Sequence, residues 1–371
     1  LESIFLKEAE LLWDKELPYS SIYEDTYFSV HGGREEAEHV FIEGNNLYKR
    51  WNELKKGDYF TIGELGFGSG LNFLTTWKAW SKTNYKDKTL NFYSIEKSPI
   101  SINDSKKCLS KFKDLDIVSN TFYNSFPLPV RGAQRIHFRD YNIFLTLIFQ
   151  DVDKAIASIK ASDTKFDAWF LDGFSPNKNP KMWTEKVFKV LSEKSHENTT
   201  YATFSSSGLV KKNLLSVNAS LNISKGFAAK RHMTKGSFKS DQKKLESKVK
   251  TVAIIGAGIS GCTLAHSLSE RGHKSLIFDK EDDICKGSSG NSALMLYPRI
   301  SAFNSPFSRF AIQSFIFSSH LFEDLKVNGW NKTGVILLDN NKFAKKRIKE
   351  LRSLENYSEL YRHISAEEAS K

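Results

Sequence analysis

Residues 63–74 read GELGFGSGLNFL, in which Gly66, Gly68 and Gly70 alternate just before an apolar run. Glycine lacks a Cβ and tolerates positive φ, so such a loop lets the backbone approach a ligand closely. A Walker loop would end in Gly-Lys followed by Ser or Thr, whereas Leu-Asn follows here, which argues against a nucleoside triphosphate. On the glycines alone, a dinucleotide site and a purely structural turn both stay open.

Acidic residues stand at the ends of three strand-like runs. Glu64 precedes the glycine loop, Glu96 ends FYSIE and Asp151 follows FLTLIFQ. An acid at the end of the second strand is placed to bind ribose hydroxyls, and an acid beside the loop favours a cationic ligand. S-adenosylmethionine has both a ribose and a sulfonium cation. We therefore predict that these acids, the three glycines and the intervening Phe67 bind it.

The run FDAWFLDGFSPNKNPKMW, residues 166–183, is a second candidate site. Its strand-like part ends in Asp172, whose carboxylate could orient or deprotonate a nucleophile at the ligand edge of the sheet. Phe174 and Trp183 could stack on a nucleobase of the substrate. Plainer interpretations stay open, because Asp before Gly often only forms a turn and Trp183 could belong to the core.

A second glycine loop follows in TVAIIGAGISG, where the pattern GxGxxG is formed by Gly256, Gly258 and Gly261. Their expected tasks are a tight turn, close approach of a pyrophosphate and helix–strand packing. Asp279 ends the next strand-like run about 20 residues later, the distance expected for a ribose contact. This context predicts a dinucleotide and does not distinguish FAD from NAD.

Strand-like and helix-like runs must position these residues, and they alternate from residue 58 to about 225. The predicted strands are DYFTIGEL, LNFYSIE, YNIFLTLIF, FDAWFLD and TTYATFSS. The predicted helices are LNFLTTWKAWSK, SPISINDSKKCLSKF, VDKAIASIK and MWTEKVFKVLSEK. This alternation predicts an α/β fold, in which helices cover both faces of a parallel sheet. A second α/β unit begins at residue 251.

A basic stretch separates the two units. Its cations are Lys225, Lys230, Arg231, Lys235, Lys239, Lys243, Lys244, Lys248 and Lys250. We predict a domain over residues 1–235, a basic linker over 236–250 and a second unit over 251–371. Either the stretch contacts phosphates of a nucleic acid, or it is only a Lys-rich soluble linker.

The composition is that of a folded protein of 371 residues with a formal charge of +11, which favours a polyanionic partner. Three distant cysteines, Cys108, Cys262 and Cys285, show no disulfide framework or zinc pattern. The sequence has neither an apolar run of about 20 residues, as a membrane span requires, nor a signal-peptide pattern. We expect a monomeric cytoplasmic protein without a metal.

The motifs ELGFGSGLNFL, FYSIEKSP and WFLDGFSPNKNPKMW, with IYEDTYFS and VFIEGNNL before them, resemble the methyltransferase half of the bifunctional tRNA 5-methylaminomethyl-2-thiouridine biosynthesis family. KGSSGNSALMLYPRIS, which contains Ser289, resembles its flavin-dependent half. The resemblance implies a Rossmann-like S-adenosylmethionine methyltransferase domain, then the start of an FAD-binding Rossmann-type domain. It places Asp172 near the transferred methyl and Ser289 at the FAD. Gln150 departs from the glycine usual before Asp151, which affects the expected adenine contact.

The resemblance also implies the reactions. In that family the flavin half removes the carboxymethyl group from a modified wobble uridine of tRNA, and the other half methylates the amine that is left. Because the matching segment stops at Lys371, we expect methyl transfer without oxidation. Two alternatives are a methyltransferase for another amine or a protein, and a tRNA-binding remnant without catalysis.

Overall fold

The computed structural model of the chain describes residues 2–14, 17–29, 32–228, 230–244, 249–352 and 360–370. The strands are β1 (Leu11–Asp14), β2 (Leu17–Ser20), β3 (Asp25–Thr26), β4 (Tyr59–Leu65), β5 (Thr89–Glu96), β6 (Gly132–Phe138), β7 (Ile143–Phe149), β8 (Phe166–Leu171), β9 (Ser195–Thr203), β10 (Asn222–Lys225), β11 (His232–Ser237), β12 (Thr251–Ile255) and β13 (Lys274–Phe278).

The helices connect and cover these strands. They are α1 (Gly33–Ala37), α2 (Leu47–Asn52), α3 (Leu71–Ser81), α4 (Ile102–Leu109), α5 (Asp116–Tyr123), α6 (Val152–Ala161), α7 (Glu185–Glu193), α8 (Gly208–Ser216), α9 (Ile259–Ser269), α10 (Pro306–Asp324), α11 (Lys342–Arg352) and α12 (Ala366–Ala369). A π-helical turn over Glu38–Glu43 follows α1.

The main sheet has eight strands in the order β10-β11-β9-β8-β4-β5-β7-β6. Its five central strands, β9, β8, β4, β5 and β7, are parallel, and they are the five strands predicted from the sequence. The chain runs from β4 outward to β5 and β7, then crosses back to β8 on the other side of β4. Ligands of open α/β sheets bind at such a reversal, beyond the carboxyl ends of the strands.

Antiparallel strands close both sides of the parallel core, and the sequence analysis missed them. On one side β6 pairs with β7, and on the other side β11 pairs with β9 and β10 with β11. β10 is a largely exposed edge strand and β11 is mostly polar and basic, so the hydrophobic alternation of both is weak. β6 alternates in burial, but its only large apolar side chains are Ile136 and Phe138.

The predicted linker over residues 236–250 begins too early. Residues 232–237 form β11, and Phe238 is buried in the core beneath it. The Lys244 ammonium donates to the buried Asp167 carboxylate at 2.7 Å and to the Tyr59 carbonyl at 2.6 Å. The first domain therefore extends to at least residue 244, while Lys248 lies outside the described residues.

The buried Asp167 carboxylate holds this segment against the sheet. Besides Lys244, it accepts the backbone N–H of Thr61 at 2.8 Å and contacts His196 Nε2 at 3.1 Å. Burial by itself raises the pKa of a carboxyl, but these hydrogen bonds and the ammonium hold the pKa of Asp167 below its usual value. Lys244 thus stabilises the sheet through its ion pair with Asp167.

The second unit packs against the β6 edge of the main sheet. It contains the parallel pair β12–β13, with α9 between the two strands in sequence. Ile300, Ile312 and Ile316 of this unit form one apolar cluster with Phe5 and Val130 of the first domain. Among the described residues no helix is at once long and apolar enough to cross a bilayer.

Glycine in the centre of β4 makes room for a large ring. Gly63 is the parallel partner of Trp169 on β8, and a Cβ on Gly63 would lie 2.1 Å from the Trp169 ring. Trp169 is itself fully buried and donates its indole N–H to Ser195 at 3.2 Å. The strands β4 and β8 can therefore lie side by side only because residue 63 has no side chain.

We predict that Gly63→Ala destabilises the first domain by about 1–3 kcal/mol, because the added methyl overpacks the core against Trp169. Gly208→Ala is the matched control, since Gly208 begins α8, also lies outside the left-handed region and has open space where a Cβ would be. We expect that control to be neutral or stabilised by up to about 1 kcal/mol. Denaturant midpoints followed by tryptophan fluorescence measure both, and equal midpoints would contradict the packing argument.

Candidate active site

One cavity of about 550 Å³ opens beyond the carboxyl ends of β4, β5, β7 and β8. A volume of this size is ordinary for a site that encloses a nucleoside-sized ligand. Most of the residues predicted from the sequence line it, namely Gly66, Phe67, Gly68, Glu96, Asp151, Asp172 and Phe174. Both candidate motifs of the first domain therefore belong to a single site.

The glycine loop reaches the cavity through backbone conformations that other residues avoid. Gly66, Gly68 and Gly70 have φ values of +91°, +52° and +85°. A Cβ on Gly66 would lie 3.0 Å from the Cα of Gly173, so the loops after β4 and β8 are in backbone contact. Gly70 instead caps the start of α3 and packs beneath the Phe67 ring, outside the cavity wall.

Glu64 lies behind the cavity wall and not in it, since only 1% of this residue is exposed. Its carboxyl accepts from the Ser94 hydroxyl at 2.6 Å and from Asn72 Nδ2 at 3.0 Å. Burial raises the pKa of Glu64 to about 8, although both hydrogen bonds act in the opposite direction. Glu64 is therefore mostly protonated at pH 7 and adds little charge to the cavity.

Asn72 connects Glu64 to the cavity, and the sequence analysis missed it. The same Asn72 Nδ2 that contacts Glu64 also donates to Asp172 Oδ2 at 2.6 Å. The signal was an amide in the first turn of the helix that follows the glycine loop, directly beside an acid in the preceding strand. A single amide thus fixes the carboxyls at the ends of β4 and β8.

Asp172 presents a carboxylate to the cavity. Burial raises its pKa to about 6, while the Gly173 N–H and Asn72 partly offset that effect. The nearby Glu36 carboxylate raises the pKa further and the Lys230 ammonium lowers it. At neutral pH the group is mostly ionised, yet it is a stronger base than an exposed aspartate.

Two further acids line the other end of the cavity. Glu96 accepts the N–H of Gly68 at 3.0 Å and that of Ser98 at 2.8 Å, so it holds the glycine loop. Burial raises the pKa of Glu96, against the effect of these hydrogen bonds. Asp151 caps α6 by accepting the Asp153 N–H at 3.2 Å, and its side chain stays 29% exposed.

Aromatic side chains line the cavity together with Asp172. Phe174 lines the cavity and stacks on Tyr23 with ring centroids 4.6 Å apart, and Tyr27 meets it edge-on at 5.2 Å. Asp25 accepts the Ser175 N–H at 3.0 Å, which ties the β1–β3 meander to the loop after β8. Part of this segment, IYEDTYFS, was quoted above for the family resemblance, but no role at the site was predicted for it.

The expectation that Trp183 stacks on a substrate base is corrected by the structure. Trp183 is fully buried in the core and does not line the cavity. Its indole N–H donates to the Phe174 carbonyl at 3.0 Å, and its own carbonyl accepts from Asn213 at 2.6 Å. Trp183 therefore supports the loop that carries Phe174 from below.

The second glycine loop has the expected arrangement in the second unit. Gly256 has φ of +100°, and a Cβ on Gly261 would lie 1.9 Å from the Gly256 carbonyl oxygen, so α9 packs directly on the loop. A Cβ on Gly258 would lie 3.2 Å from Ser289 Oγ. Ser289 accepts the Ile259 N–H at 3.1 Å.

Asp279 accepts the Ala257 N–H at 2.5 Å, and this hydrogen bond lowers the pKa of Asp279. The acid at the end of β13 and the loop after β12 are thus adjacent, as a dinucleotide fold requires. The loop and the acid fit a dinucleotide cofactor. Among the described residues there is no group of three or more His, Cys, Asp or Glu side chains that could hold a metal ion.

Two known families match different parts of the chain. Residues 113–239 match the family described as S-adenosyl-L-methionine-dependent methyltransferase, and residues 251–371 match the FAD dependent oxidoreductase family. These two domains indicate S-adenosylmethionine and FAD as the cofactors.

Curated relatives match both units together. The bifunctional tRNA 5-methylaminomethyl-2-thiouridine biosynthesis protein MnmC of Legionella pneumophila (strain Lens) is 33% identical over 98% of this chain and 59% of its own length. The protein of the same name from Leptospira interrogans is 38% identical over 88% of this chain and 52% of its own. The chain therefore spans little more than half the length of these relatives.

A solved structure supports the fold. The crystal structure of MNMC2 from Aquifex aeolicus aligns with a TM-score of 0.50 and 22% identity, over 65% of this chain and 75% of that one. Over almost all of its length this chain is similar to bifunctional tRNA 5-methylaminomethyl-2-thiouridine biosynthesis proteins, and its two parts match an S-adenosylmethionine-dependent methyltransferase family and an FAD dependent oxidoreductase family.

Proposed function

We propose that the first domain transfers a methyl group from S-adenosylmethionine to the amine of 5-aminomethyl-2-thiouridine at the wobble position of tRNA. The observation that carries the proposal is the meeting of the glycine loop and Asp172 in one cavity of about 550 Å³. The relatives are named for biosynthesis of 5-methylaminomethyl-2-thiouridine, the nucleoside that this transfer would produce, which supports the choice of substrate.

The cofactor end of the cavity is formed by the loop after β4 and the ends of β5 and β7. S-adenosylmethionine, when bound, supplies a methyl group on a sulfonium that amines can attack. Glu96 is placed to accept the ribose hydroxyls, and Gln150 and Asp151 line the part of the cavity suited to adenine. Gly66 and Gly68 expose backbone there because they have no side chain.

Asp172 prepares the acceptor amine. An alkyl ammonium has a reference pKa of about 10.4, so the amine must lose a proton before its nitrogen can attack the methyl carbon. The Asp172 carboxylate binds the ammonium. Its pKa of about 6 is closer to the pKa of the ammonium than that of an exposed aspartate is, so Asp172 is the better proton acceptor. The Asn72 amide holds the carboxylate in place.

The second unit is proposed to hold FAD at Gly256, Gly258, Gly261, Asp279 and Ser289. In the longer relatives this module is proposed to remove the carboxymethyl group from the wobble uridine, and this removal precedes methylation. Transfer RNA is the proposed partner, and the exposed cations of the basic stretch suit its phosphates. They include Lys225, Arg231, Lys239, Lys243 and Lys250. We propose that the protein acts as a monomer in the cytoplasm.

Nucleoside mass spectrometry tests the proposed function directly. The purified chain is incubated with S-adenosylmethionine and tRNA that bears either aminomethyl-uridine or carboxymethylaminomethyl-uridine. We expect the first tRNA to gain one methyl group. Methylation of an unrelated amine but of neither tRNA would contradict the substrate, and S-adenosylmethionine binding without any transfer would contradict catalysis. Conversion of the second tRNA as well would show that the flavin module is active in this chain.

We predict that Asp172→Asn lowers kcat/KM for methyl transfer about 10²–10⁴-fold, the range of a general base. The affinity for S-adenosylmethionine should change little, because Asp172 is not part of the cofactor end. Asp163→Asn, at an exposed aspartate, is the matched control and should behave as the wild type. Single-turnover rates and calorimetric cofactor binding separate the two effects. An unchanged rate in Asp172→Asn would remove Asp172 from the mechanism.

The pH profile gives an independent prediction. Because Asp172 acts as a carboxylate and has a pKa of about 6, kcat/KM should fall as the pH is lowered through about 6, where the carboxylate gains a proton. This acid limb should be absent from the residual activity of Asp172→Asn. If the limb persists in the variant at the same pH, another group is responsible for it.

A further inference from the structure

A lysine ammonium occupies the acceptor side of the cavity. Lys230 belongs to the basic stretch of the sequence, and in the structure both Lys230 and Asp172 line the cavity. Its Nζ donates to Glu36 Oε1 at 2.7 Å and lies 4.4 Å from the centroid of the Phe204 ring. The sequence analysis did not identify Glu36 or Phe204.

Glu36 is an acid without a role in the methyl transfer proposed for Asp172. It belongs to α1, its side chain is only 11% exposed, and its carboxylate faces the same cavity as Asp172. A largely buried carboxylate requires a cationic partner or several hydrogen-bond donors. The partner here is Lys230, whose own side chain is 44% exposed.

The end of a lysine side chain is chemically the same group as the proposed substrate. Both are a primary ammonium on a CH₂ group. The position of Lys230 Nζ, between a carboxylate and an aromatic face, is a typical ammonium site in which ion pairing and cation–π attraction act together. With Asp172 nearby, two carboxylates of the cavity lie close to this ammonium.

We propose that Glu36 binds the ammonium of the incoming acceptor and that Lys230 holds this position until the acceptor displaces it. The proposal rests on the proposed function, because it names the group that makes that site selective for a cationic primary amine. Glu36 is a specificity-determining residue in this scheme, and Asp172 remains the group that takes the proton.

The location of Lys230 suits a displaceable group. It lies in the connection between β10 and β11, which form the outermost pair of the sheet. This connection is closed by a hydrogen bond from the Gly226 N–H to the Arg231 carbonyl at 3.2 Å. Rotation of an exposed lysine at such a tip leaves the core unchanged. The released ammonium is then free to meet a phosphate of the same nucleic acid.

Displacement has a consequence that a purely structural ion pair does not share. If Lys230 competes with the acceptor for Glu36, removal of the lysine must tighten binding of a small amine, because the competing state is lost. If the pair only stabilises the fold, the same substitution leaves a buried carboxylate without its partner and weakens binding or stability. The sign of the change therefore separates the two explanations.

Calorimetry with two nucleosides tests the proposal. The protein is saturated with S-adenosylhomocysteine and titrated with 5-aminomethyluridine or with its neutral analogue 5-hydroxymethyluridine. We expect the wild type to prefer the amine by about tenfold or more, and Glu36→Gln to lose most of that preference. We expect Lys230→Met to bind the amine about threefold to tenfold more tightly.

Matched controls change exposed residues of the same two types. Glu35→Gln changes the neighbouring glutamate of α1, and Lys189→Met changes a lysine of α7. Both should keep the wild-type preference. Thermal denaturation of every variant identifies any loss of folding, so a weakened but unfolded protein is not counted as support.

The outcomes separate this inference from the proposed function. If the wild type methylates tRNA but Glu36→Gln keeps its preference for the amine, or Lys230→Met binds the amine less tightly, the inference is overturned and the function stands. If Glu36→Gln loses the preference and Lys230→Met gains affinity while no tRNA is methylated, the ammonium site stands and the substrate assignment fails.

Discussion

The contact between Gly66 and Gly173 determines the geometry of the site. These residues follow adjacent parallel strands, both have positive φ, and a Cβ on Gly66 would come within 3.0 Å of Gly173. Because the two loops touch, a helix residue after one loop, Asn72, can reach the acid before the other, Asp172, at 2.6 Å. Glu96 fixes the first loop from the opposite side through the Gly68 N–H.

Crowding of acids is the chemical result of that geometry. Glu64 and Asp172 share one amide, and two carboxylates in low dielectric disfavour each other's ionisation. Burial raises the pKa of the more deeply placed Glu64 to about 8 and the pKa of Asp172, which faces the cavity, to about 6. Neutral pH lies between these two values. The pair therefore has one negative charge, and it is on the carboxylate that faces the cavity.

The sequence predicted those features that can be recognised within a short stretch of the chain. The five parallel strands were identified from their continuous apolar runs, and both glycine loops and Asp172 from their positions at strand ends. Strands β6, β10 and β11 were missed because they contain few large apolar residues. Glu36, Asn72 and Lys230 come together only through tertiary contacts, and no spacing indicates that they meet. Trp183 was misjudged for the same reason, since sequence alone does not separate an aromatic residue of the core from one in a pocket.

The charge distribution explains how one protein can suit a ligand that is both polyanionic and locally cationic. The chain has a formal charge of +11, yet Glu36, Glu96, Asp151 and Asp172 all line the cavity. Screening limits the field of exposed charges to about 8–10 Å in physiological salt, so the basic exterior and the acidic interior act on different parts of a large ligand. Phosphates are attracted to the surface and an amine to the cavity. Lys230 lies at the boundary between these two regions, where an ammonium can exchange a carboxylate of the cavity for a phosphate outside it.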